Sequence, residues 1–154
     1  MRRFRTTILF SGIALLASFV LTTLPALADG ETIGSVKKVS GEVGVMRDGQ
    51  RTPAHPGLKL HAGDILETGP DGLLGVVLRD DSLVSLGPSS QIAIEKFRFV
   101  PAEGHLGLTA RILRGTMAYV SGLIGRLAPE SATFVTPVAT IGVRGTHFAV
   151  RVSE

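Results

Sequence analysis

Short apolar runs separated by turn-forming residues dominate the chain, and they constrain its fold more than any other feature. After residue 28, branched and aromatic residues occur in runs that are bounded by Gly, Pro, Asp and Ser. The run Val39–Val45 alternates in the manner of a half-buried strand, and Asp48 and Gly49 after it form a tight-turn signal. Turns recur about every eight to twelve residues, which is typical of all-β domains. The sequence therefore predicts a compact single all-β domain of short strands, either β-solenoid-like or a sandwich.

Two segments are harder to assign. The run Leu73–Leu78 is almost continuously apolar, which predicts a strand covered on both faces. Residues 108–125 place apolar side chains at spacings that suit both a helix and a strand. Because Gly115, Gly122 and Gly125 would each destabilise a helix by about 1 kcal/mol relative to alanine, we predict a strand.

The N-terminus has the pattern of a secretory signal peptide. Three arginines among the first five residues precede an apolar stretch, Ile8–Leu24, and a small-x-small site that ends at Ala28. The pattern predicts cleavage between Ala28 and Asp29, which leaves a mature domain of residues 29–154 in the periplasm or outside the cell, without a membrane span. The alternative is a retained anchor, for which a stretch of 17 residues lies at the short limit.

Removal of the predicted leader, residues 1–28, also removes the basic excess. The full chain has 16 Lys and Arg against 13 Asp and Glu, but Arg2, Arg3 and Arg5 lie in the leader and no acidic residue does. The mature chain then has 13 of each, so its bulk charge gives no support for nucleic-acid binding. The absence of cysteine excludes disulfides and a lipoprotein anchor, and stability must come from packing.

The segment from Thr136 to Val150 combines a strand pattern with an arginine that lies between two glycines. Arg144 follows Gly142 closely and directly precedes Gly145. An unpaired buried guanidinium is very costly, so this side chain must find acceptors or point outward. Two interpretations remain open. Arg144 either locks the fold by binding carbonyls or a carboxylate such as that of Asp64, or it anchors a partner.

This segment resembles the closing T-P-x-A-x-x-G-x-R-G-T-x-F-type motif of the FecR domain, a bacterial extracytoplasmic module. Two further matching blocks lie upstream in the same order, and the resemblance covers about residues 61–152. We predict that the residues carrying the match are structural or partner-binding. They are Gly63, Asp64, Thr68, Gly69, Asp80, Ser82, Gly115, Ser121, Gly122, Thr136, Pro137, Gly142, Arg144, Gly145, Thr146 and Phe148.

The resemblance implies a solenoid-like all-β fold and a role outside the cytoplasm. The founding type of the family relays a signal from an outer-membrane receptor to a cytoplasmic sigma factor. Only seven residues precede Ile8, so we expect no cytoplasmic sigma-regulating segment and do not transfer the relay role. Family members usually have Asp-Gly-Ser where this chain has Asp80, Asp81 and Ser82, so we expect Asp81 to adopt a left-handed conformation. His147 replaces a position that is often acidic or polar, and we expect it to face outward.

The sequence contains no recognisable catalytic or cofactor-binding pattern. Its aspartates are expected to cap turns, and a calcium site is the weaker alternative because the spacing matches no calcium loop. The four histidines lack zinc-site spacing, and neither a nucleophile elbow nor a phosphate-binding loop is present. We therefore predict a protein that is not an enzyme and that uses no cofactor or metal. The four aspartates considered are Asp64, Asp71, Asp80 and Asp81.

Three functions follow in order of preference. The first is a non-enzymatic module that binds a protein of the bacterial cell envelope and contributes to signalling there, through a strand edge or a sheet face. The second is a module that binds peptidoglycan or another polysaccharide, although the chain is poor in the aromatic residues that stack on sugars. The third is a hydrolase, which would require a polar pocket that the sequence does not reveal.

Overall fold

The structure is a computed structural model that describes residues 30–143 and 147–153. Twelve strands and one short α-helix, α1, make up most of this part of the chain, together with single 3-10 turns at Pro101–Glu103 and Pro129–Ser131. The elements are β1 (Thr32–Ser40), β2 (Val43–Arg47), β3 (Gln50–Pro53), β4 (Lys59–His61), β5 (Ile65–Thr68), β6 (Leu73–Leu78), β7 (Leu83–Leu86), β8 (Gln91–Val100), β9 (His105–Val120), α1 (Leu123–Leu127), β10 (Ala132–Val135), β11 (Thr140–Gly142) and β12 (His147–Val152).

The strands form one curled sheet with the order β3-β2-β5-β8-β9-β7-β6-β1-β4. Strands β10 and β12 also pair with β9, and β11 pairs with β10. The pairs are antiparallel, apart from the parallel pair of β9 and β10. The predicted all-β single domain is confirmed, and it takes the form of a curled, mainly antiparallel half-barrel.

Strand β9 is the longest strand and connects the two halves of the sheet. Its first part pairs with β8 and β10, and its last part pairs with β7 and β12. Gly115 lies between the two parts with a φ of 84°, and a Cβ there would come within 2.5 Å of the Ser90 Cα. Glycine is required at this position because an L side chain would be strained and would also clash. The irregular backbone at Gly115 therefore lies where β9 passes from one half of the sheet to the other.

The core lies on the concave face of the sheet. Alternate residues of the strands point inward, and the largest side chains that are fully buried include Tyr119, Phe134 and Ile112. The alternation along each strand follows from the period of two in a pleated backbone. The inward set contains Ile33, Val36, Val43, Val45, Leu60, Leu66, Leu74, Val76, Leu78, Val84, Leu86, Ile92, Ile94, Leu108, Ala110 and Met117.

Strand β6 corrects one prediction. The expectation that Leu73–Leu78 is covered on both faces is wrong, because Leu74, Val76 and Leu78 are buried while Leu73 is 46% exposed. The continuous apolar run arises because the outward positions also carry Leu73, Gly75 and Val77. An apolar residue on the outer face looks the same in sequence as one in the core.

The predicted strand over residues 108–125 is confirmed as far as Val120 and is wrong beyond it. Residues Leu123–Leu127 form α1, a single helical turn. The helical turn begins where it does because the Asp80 carbonyl accepts the Leu123 N–H at 2.7 Å and the Asp80 carboxylate accepts the Ile124 N–H at 3.2 Å. Both donors are held by a residue that is about forty positions away in the chain, which a local pattern does not contain.

We expect the two neighbouring positions in the middle of β9 to respond differently to truncation. Ile112 is fully buried and Leu113 is 37% exposed. Ile112→Ala should lower the free energy of unfolding by about 2–5 kcal/mol, because it leaves a cavity in the core. Leu113→Ala, the matched control, should change it by less than about 1 kcal/mol. Urea denaturation of both variants checks the prediction, and equal losses would contradict the inward and outward assignment.

Candidate functional site

The first signature block forms a buried ion pair. The Asp64 carboxylate is fully buried, and Arg47 binds it through two bonds, from Nε to Oδ1 at 2.7 Å and from Nη2 to Oδ2 at 2.8 Å. The same carboxylate accepts the His61 backbone N–H at 2.8 Å. Gly63, which lies in this turn, has a φ of 92°, a conformation that favours glycine. The arrangement connects β2 to the turn between β4 and β5, and it is structural.

The second cluster joins the end of β5 to the turn between β7 and β8. The Thr68 hydroxyl accepts the Ser90 N–H at 2.8 Å and donates to the Gly87 carbonyl at 2.7 Å. The Ser90 hydroxyl donates to the Thr116 carbonyl at 3.1 Å and accepts the Thr116 N–H at 2.8 Å. Gly69 directly follows β5, and its carbonyl accepts the N–H of Ser89 at 2.9 Å. Thr68 thus holds the end of β5 against the turn between β7 and β8. The sequence did not identify its partner Ser90.

The third cluster is centred on the Asp80 carboxylate, which is fully buried. It accepts the Ser82 N–H at 3.2 Å, the Ser82 hydroxyl at 2.7 Å and the Ile124 N–H at 3.2 Å. Since the Ser82 hydroxyl donates to Asp80, it accepts from the Tyr119 hydroxyl at 2.9 Å and from the Gly122 N–H at 3.0 Å. Gly122 allows this approach, since a Cβ there would lie 2.1 Å from the Asp80 carbonyl oxygen. The signature residues Asp80, Ser82 and Gly122 therefore form one network.

Two smaller expectations around this cluster are confirmed. Asp81 has a φ of 65°, so it adopts the left-handed conformation expected where relatives have glycine. Ser121 is also buried, with its hydroxyl 3.5 Å from the Gly122 carbonyl. The capping role expected of the aspartates holds for Asp64 and Asp80, and Asp71 accepts the Glu42 N–H at 3.3 Å.

Burial raises the pKa of Tyr119 above its usual value of 10.0. Removal from water disfavours the phenolate, and the Asp80 charge, which would repel a second negative charge, acts in the same direction. The sequence contains no other tyrosine and no tryptophan, so the spectrum of this one ring reports on the network.

The start of the closing motif is a hairpin turn between β10 and β11. The Thr136 hydroxyl accepts the Ala139 N–H at 3.0 Å, and the Thr136 N–H donates to the Ala139 carbonyl at 2.8 Å. Pro137 and Val138 form the tip, and Val138 is 93% exposed. Gly142 ends β11 in an exposed position, and no atom of the described residues other than its chain neighbours lies within 4 Å of where its Cβ would be.

The end of the closing motif packs into an aromatic cluster. The Phe148 ring lies with its centroid 4.7 Å from that of Phe134 and 5.6 Å from that of Tyr119, and the Tyr119 and Phe134 centroids are 4.8 Å apart. Tilted contacts of this kind add to the stabilisation from burial. His147 is exposed on β12, as expected. Phe148 thus connects the closing motif to the Asp80 network.

Some of the predicted residues lie outside the part that the structure describes. These are Arg144, Gly145 and Thr146 of the motif, and Ala28 and Asp29 of the predicted cleavage site, together with the rest of the leader. Their roles remain predictions. The carboxylate of Asp64, which we considered as a partner for Arg144, is bound by Arg47.

The described residues bring together no group of side chains that could bind a metal ion. Within residues 30–143 and 147–153, no three His, Asp or Glu side chains are grouped so that they could hold a metal ion. No helix in the same ranges has the length and apolarity needed to cross a bilayer. The signature residues that the structure describes act mainly as braces between strands, and their side chains are mostly turned inward.

The surface of one half of the sheet was missed by sequence reasoning. On the outer face, Val77, Leu83 and Val120 lie side by side on three neighbouring strands, and Ser85 and Ala118 form the next row. We call this surface the apolar outer face. It consists of Leu73, Gly75, Val77, Leu83, Ser85, Ala118, Val120 and Ala149. The sequence feature that could have revealed this surface is the continuous apolar run in β6. That run was interpreted as a strand covered on both faces.

Comparison with known proteins identifies a family but no close relative. The family model described as FecR protein matches residues 64–154. No curated protein and no solved structure gives a significant match. The match begins at Asp64, so the clusters of Thr68 and Asp80 lie within it, whereas Arg47 and His61, which bind Asp64, lie before it.

Removal of the Asp80 carboxylate should be the most damaging single change among the signature residues. We expect Asp80→Ala to lower the free energy of unfolding by about 3 kcal/mol or more, because several buried donors lose their acceptor. Asp81→Asn is the matched control, since its side chain is exposed and Asn tolerates the left-handed conformation, and it should change stability by about 0.5 kcal/mol at most. Urea denaturation compares the two, and a similar small effect for both would show that the network does not brace the fold.

The titration of Tyr119 gives a spectroscopic test of the same network. In the native protein, the tyrosinate absorbance should appear with a midpoint above pH 10.0, and in urea the midpoint should return to the usual value. Since the pKa is raised on folding, the stabilisation by neutral Tyr119 is fully present below the unfolded pKa and is lost as the pH rises through the folded pKa. Identical midpoints in native and unfolded protein would contradict the buried position.

Proposed function

This chain belongs to the FecR protein family, and on that premise we propose that it is a non-enzymatic, extracytoplasmic module that binds a protein partner in the bacterial cell envelope. The family is one of signalling and regulatory domains. The proposal places the mature protein, residues 29–154, in the periplasm or outside the cell. Its role there is to transmit or receive a signal through contact with another envelope protein.

The apolar outer face is the observation that carries this proposal. Leu73 and Leu83 are 46% and 42% exposed, and the residues between them on β6, β7 and β9 are small or branched and uncharged. Contiguous exposed apolar patches are uncommon on monomeric proteins, and they mark interaction sites. The small side chains at Gly75, Ser85 and Ala118 would allow the backbone of a partner to approach the sheet closely.

The other half of the sheet provides the contrast that supports a specific surface. There, outward polar side chains pair with one another. Arg111 Nε lies 2.5 Å from Glu95 Oε1, and Gln91 Nε2 donates a hydrogen bond to Glu67 Oε1 at 2.6 Å. Charged pairs of this kind suit contact with water. Among the described residues, the members of the apolar outer face form no such pairs, and Lys38 opposite Gly75 and His147 opposite Val120 lie at its borders. The two halves of the sheet therefore differ in the chemistry of their outer surfaces.

The internal position of the signature residues supports a role without catalysis. Asp64, Asp80 and Ser82 are fully buried, and each side chain forms hydrogen bonds with other residues of the chain. A catalytic acid, base or nucleophile must reach a substrate in a cleft. These residues instead set the shape of the sheet on which the apolar outer face lies.

In-cell crosslinking tests the proposal. The tagged full chain is crosslinked in intact cells, and captured species are identified by mass spectrometry with cell fractionation alongside. We expect one envelope protein to be recovered repeatedly, and Leu83→Glu to reduce that recovery at least about tenfold, because it places a charge within the apolar contact.

Leu113→Glu is the matched control for this experiment. Leu113 is 37% exposed, similar to Leu83, but it lies on the part of β9 that belongs to the other half of the sheet. We expect this variant to retain the captured partner. Recovery of cell-wall fragments alone, or equal loss with both variants, would count against a protein partner at the apolar outer face.

A further inference from the structure

The border of the apolar outer face along β1 and β4 carries two exposed lysines. Lys38 lies opposite Gly75, and it is on the outer side of the sheet, since a Cβ on Gly75 would lie 3.5 Å from the Lys38 Cβ. Lys59 lies opposite Ser35, which in turn lies opposite Val77. Two neighbouring rows of the face therefore each end in an ammonium group on the same side.

The strands that build this half of the sheet carry no negative charge. Strands β1, β4, β6, β7 and β12, and residues 116–120 of β9, contain no Asp or Glu. Neither Lys38 nor Lys59 lies within 4.0 Å of a carboxylate in the part of the chain that the structure describes. The positive charge at this border is therefore not compensated by a described residue, and charges at the rim of a contact select among its partners.

The carboxylates closest to these strands in the chain lie in turns. The Asp71 carboxylate, before β6, accepts the Glu42 N–H at 3.3 Å, and the Glu42 carboxylate lies 2.9 Å from Nη2 of Arg51. Asp81 is exposed in the turn between β6 and β7. These groups lie at the ends of the strands, whereas the lysines lie along the side of the face. The charge around the face is thus asymmetric.

Two acidic residues, Asp29 and Glu154, lie outside the described residues, at the start of β1 and after the end of β12. Lys38 lies six residues beyond Thr32, the first residue of β1, which is about 20 Å along an extended strand. Strands β12 and β1 are separated by β9, β7 and β6, which places them about 19 Å apart across the sheet. The border with Lys38 is therefore the one whose charge the described strands define.

The relief of the face favours a protein over a lipid surface. Its middle row consists of small residues, Gly75, Ser85 and Ala118, and larger apolar side chains flank them at Leu83 and Leu73. Surfaces that insert into a bilayer usually present projecting Trp, Phe or Leu side chains together with many basic residues. A shallow apolar furrow instead admits the side chains of a partner protein.

A second copy of this chain matches the charges less well. Sheets that pack face to face commonly keep their strands nearly aligned. In an aligned two-fold pair, the border with Lys38 lies against the same border of the other copy, or against the border that carries Arg151. Neither border supplies a carboxylate from the described residues, so the first arrangement brings like charges together.

We propose that the apolar outer face binds a protein segment that places carboxylates beside its apolar side chains. The apolar side chains cover the rows that contain Leu83 and Ser85, and the carboxylates pair with Lys38 and Lys59. This inference rests on the proposed function and names the chemistry of the partner. Complementary charges at the rim speed encounter and exclude partners of the wrong sign.

Two crosslinking reactions on the full chain test this chemistry. A photoreactive benzoylphenylalanine replaces Leu73 at the margin of the face, and illumination of intact cells captures whatever protein lies against it. A carbodiimide, applied to envelopes from the same cells, joins a lysine amine to a carboxylate only where the two are in contact. We expect mass spectrometry to find amide links from Lys38 or Lys59 to an Asp or Glu of the protein that the photoreactive group captures.

Charge variants measure what the lysines contribute. The double variant Lys38→Glu with Lys59→Glu should reduce photocapture at least about tenfold, because attraction is replaced by repulsion. Lys96→Glu is the matched control, since Lys96 is an exposed lysine on β8 in the other half of the sheet, and it should leave capture unchanged. All three lysines are exposed, so circular dichroism should show unchanged folding. Changing the linked acid of the partner to Lys should restore capture by the double variant.

The outcomes distinguish this inference from the proposed function. Capture that Leu83→Glu abolishes but the double lysine variant retains would leave protein binding at the face intact and overturn the acidic partner. Loss of capture with Lys96→Glu as well would also overturn it. Capture of a second copy of this chain would overturn it in favour of self-association. Binding of the purified mature chain to phosphatidylglycerol vesicles, with no protein captured, would overturn both in favour of a membrane surface, and no capture and no vesicle binding would overturn both outright.

Discussion

The buried carboxylate of Asp80 is the interaction on which the arrangement of this sheet depends. It fixes the turn between β6 and β7 through Ser82, the end of β9 through Tyr119 and Gly122, and the start of α1 through Ile124. A charge in this position is stable only because donors from three parts of the chain surround it. No buried side-chain nitrogen or oxygen in the described residues lacks a partner. A chain without disulfides thus uses polar braces to define how its strands meet.

Three such buried polar clusters connect different parts of the chain. The Arg47–Asp64 pair holds β2 to the turn before β5, the Thr68–Ser90 pair holds the end of β5 to the turn before β8, and Asp80 holds the second half of the sheet to α1. Each of them joins a turn to a distant strand rather than a strand to its neighbour. This explains why the residues of the family signature are polar and yet inaccessible, and why the surfaces available for recognition lie elsewhere.

The all-β class and the turn positions were predictable because they depend on local features. The left-handed Asp81 and the outward His147 each follow from a few neighbouring residues, whereas the strand predicted over Val39–Val45 is interrupted by a turn at Gly41 and Glu42. The helical turn of α1, the partner of Asp64 and the uncovered face of β6 were not predictable, because each depends on what distant segments bring alongside. Of the candidate site, the sequence identified residues of the three buried clusters, but the apolar outer face required the pairing of β9 with β7 and β12.

The bend of β9 at Gly115 explains why two different surfaces can occur on one small sheet. Before the bend, β9 contributes to a charge-paired outer surface with β8, and after it, the strand contributes Ala118 and Val120 to the apolar outer face. A Cβ at Gly115 would lie 2.5 Å from the Ser90 Cα, and the φ of 84° at this position favours glycine. The junction between the charge-paired surface and the apolar outer face therefore depends on a residue without a side chain.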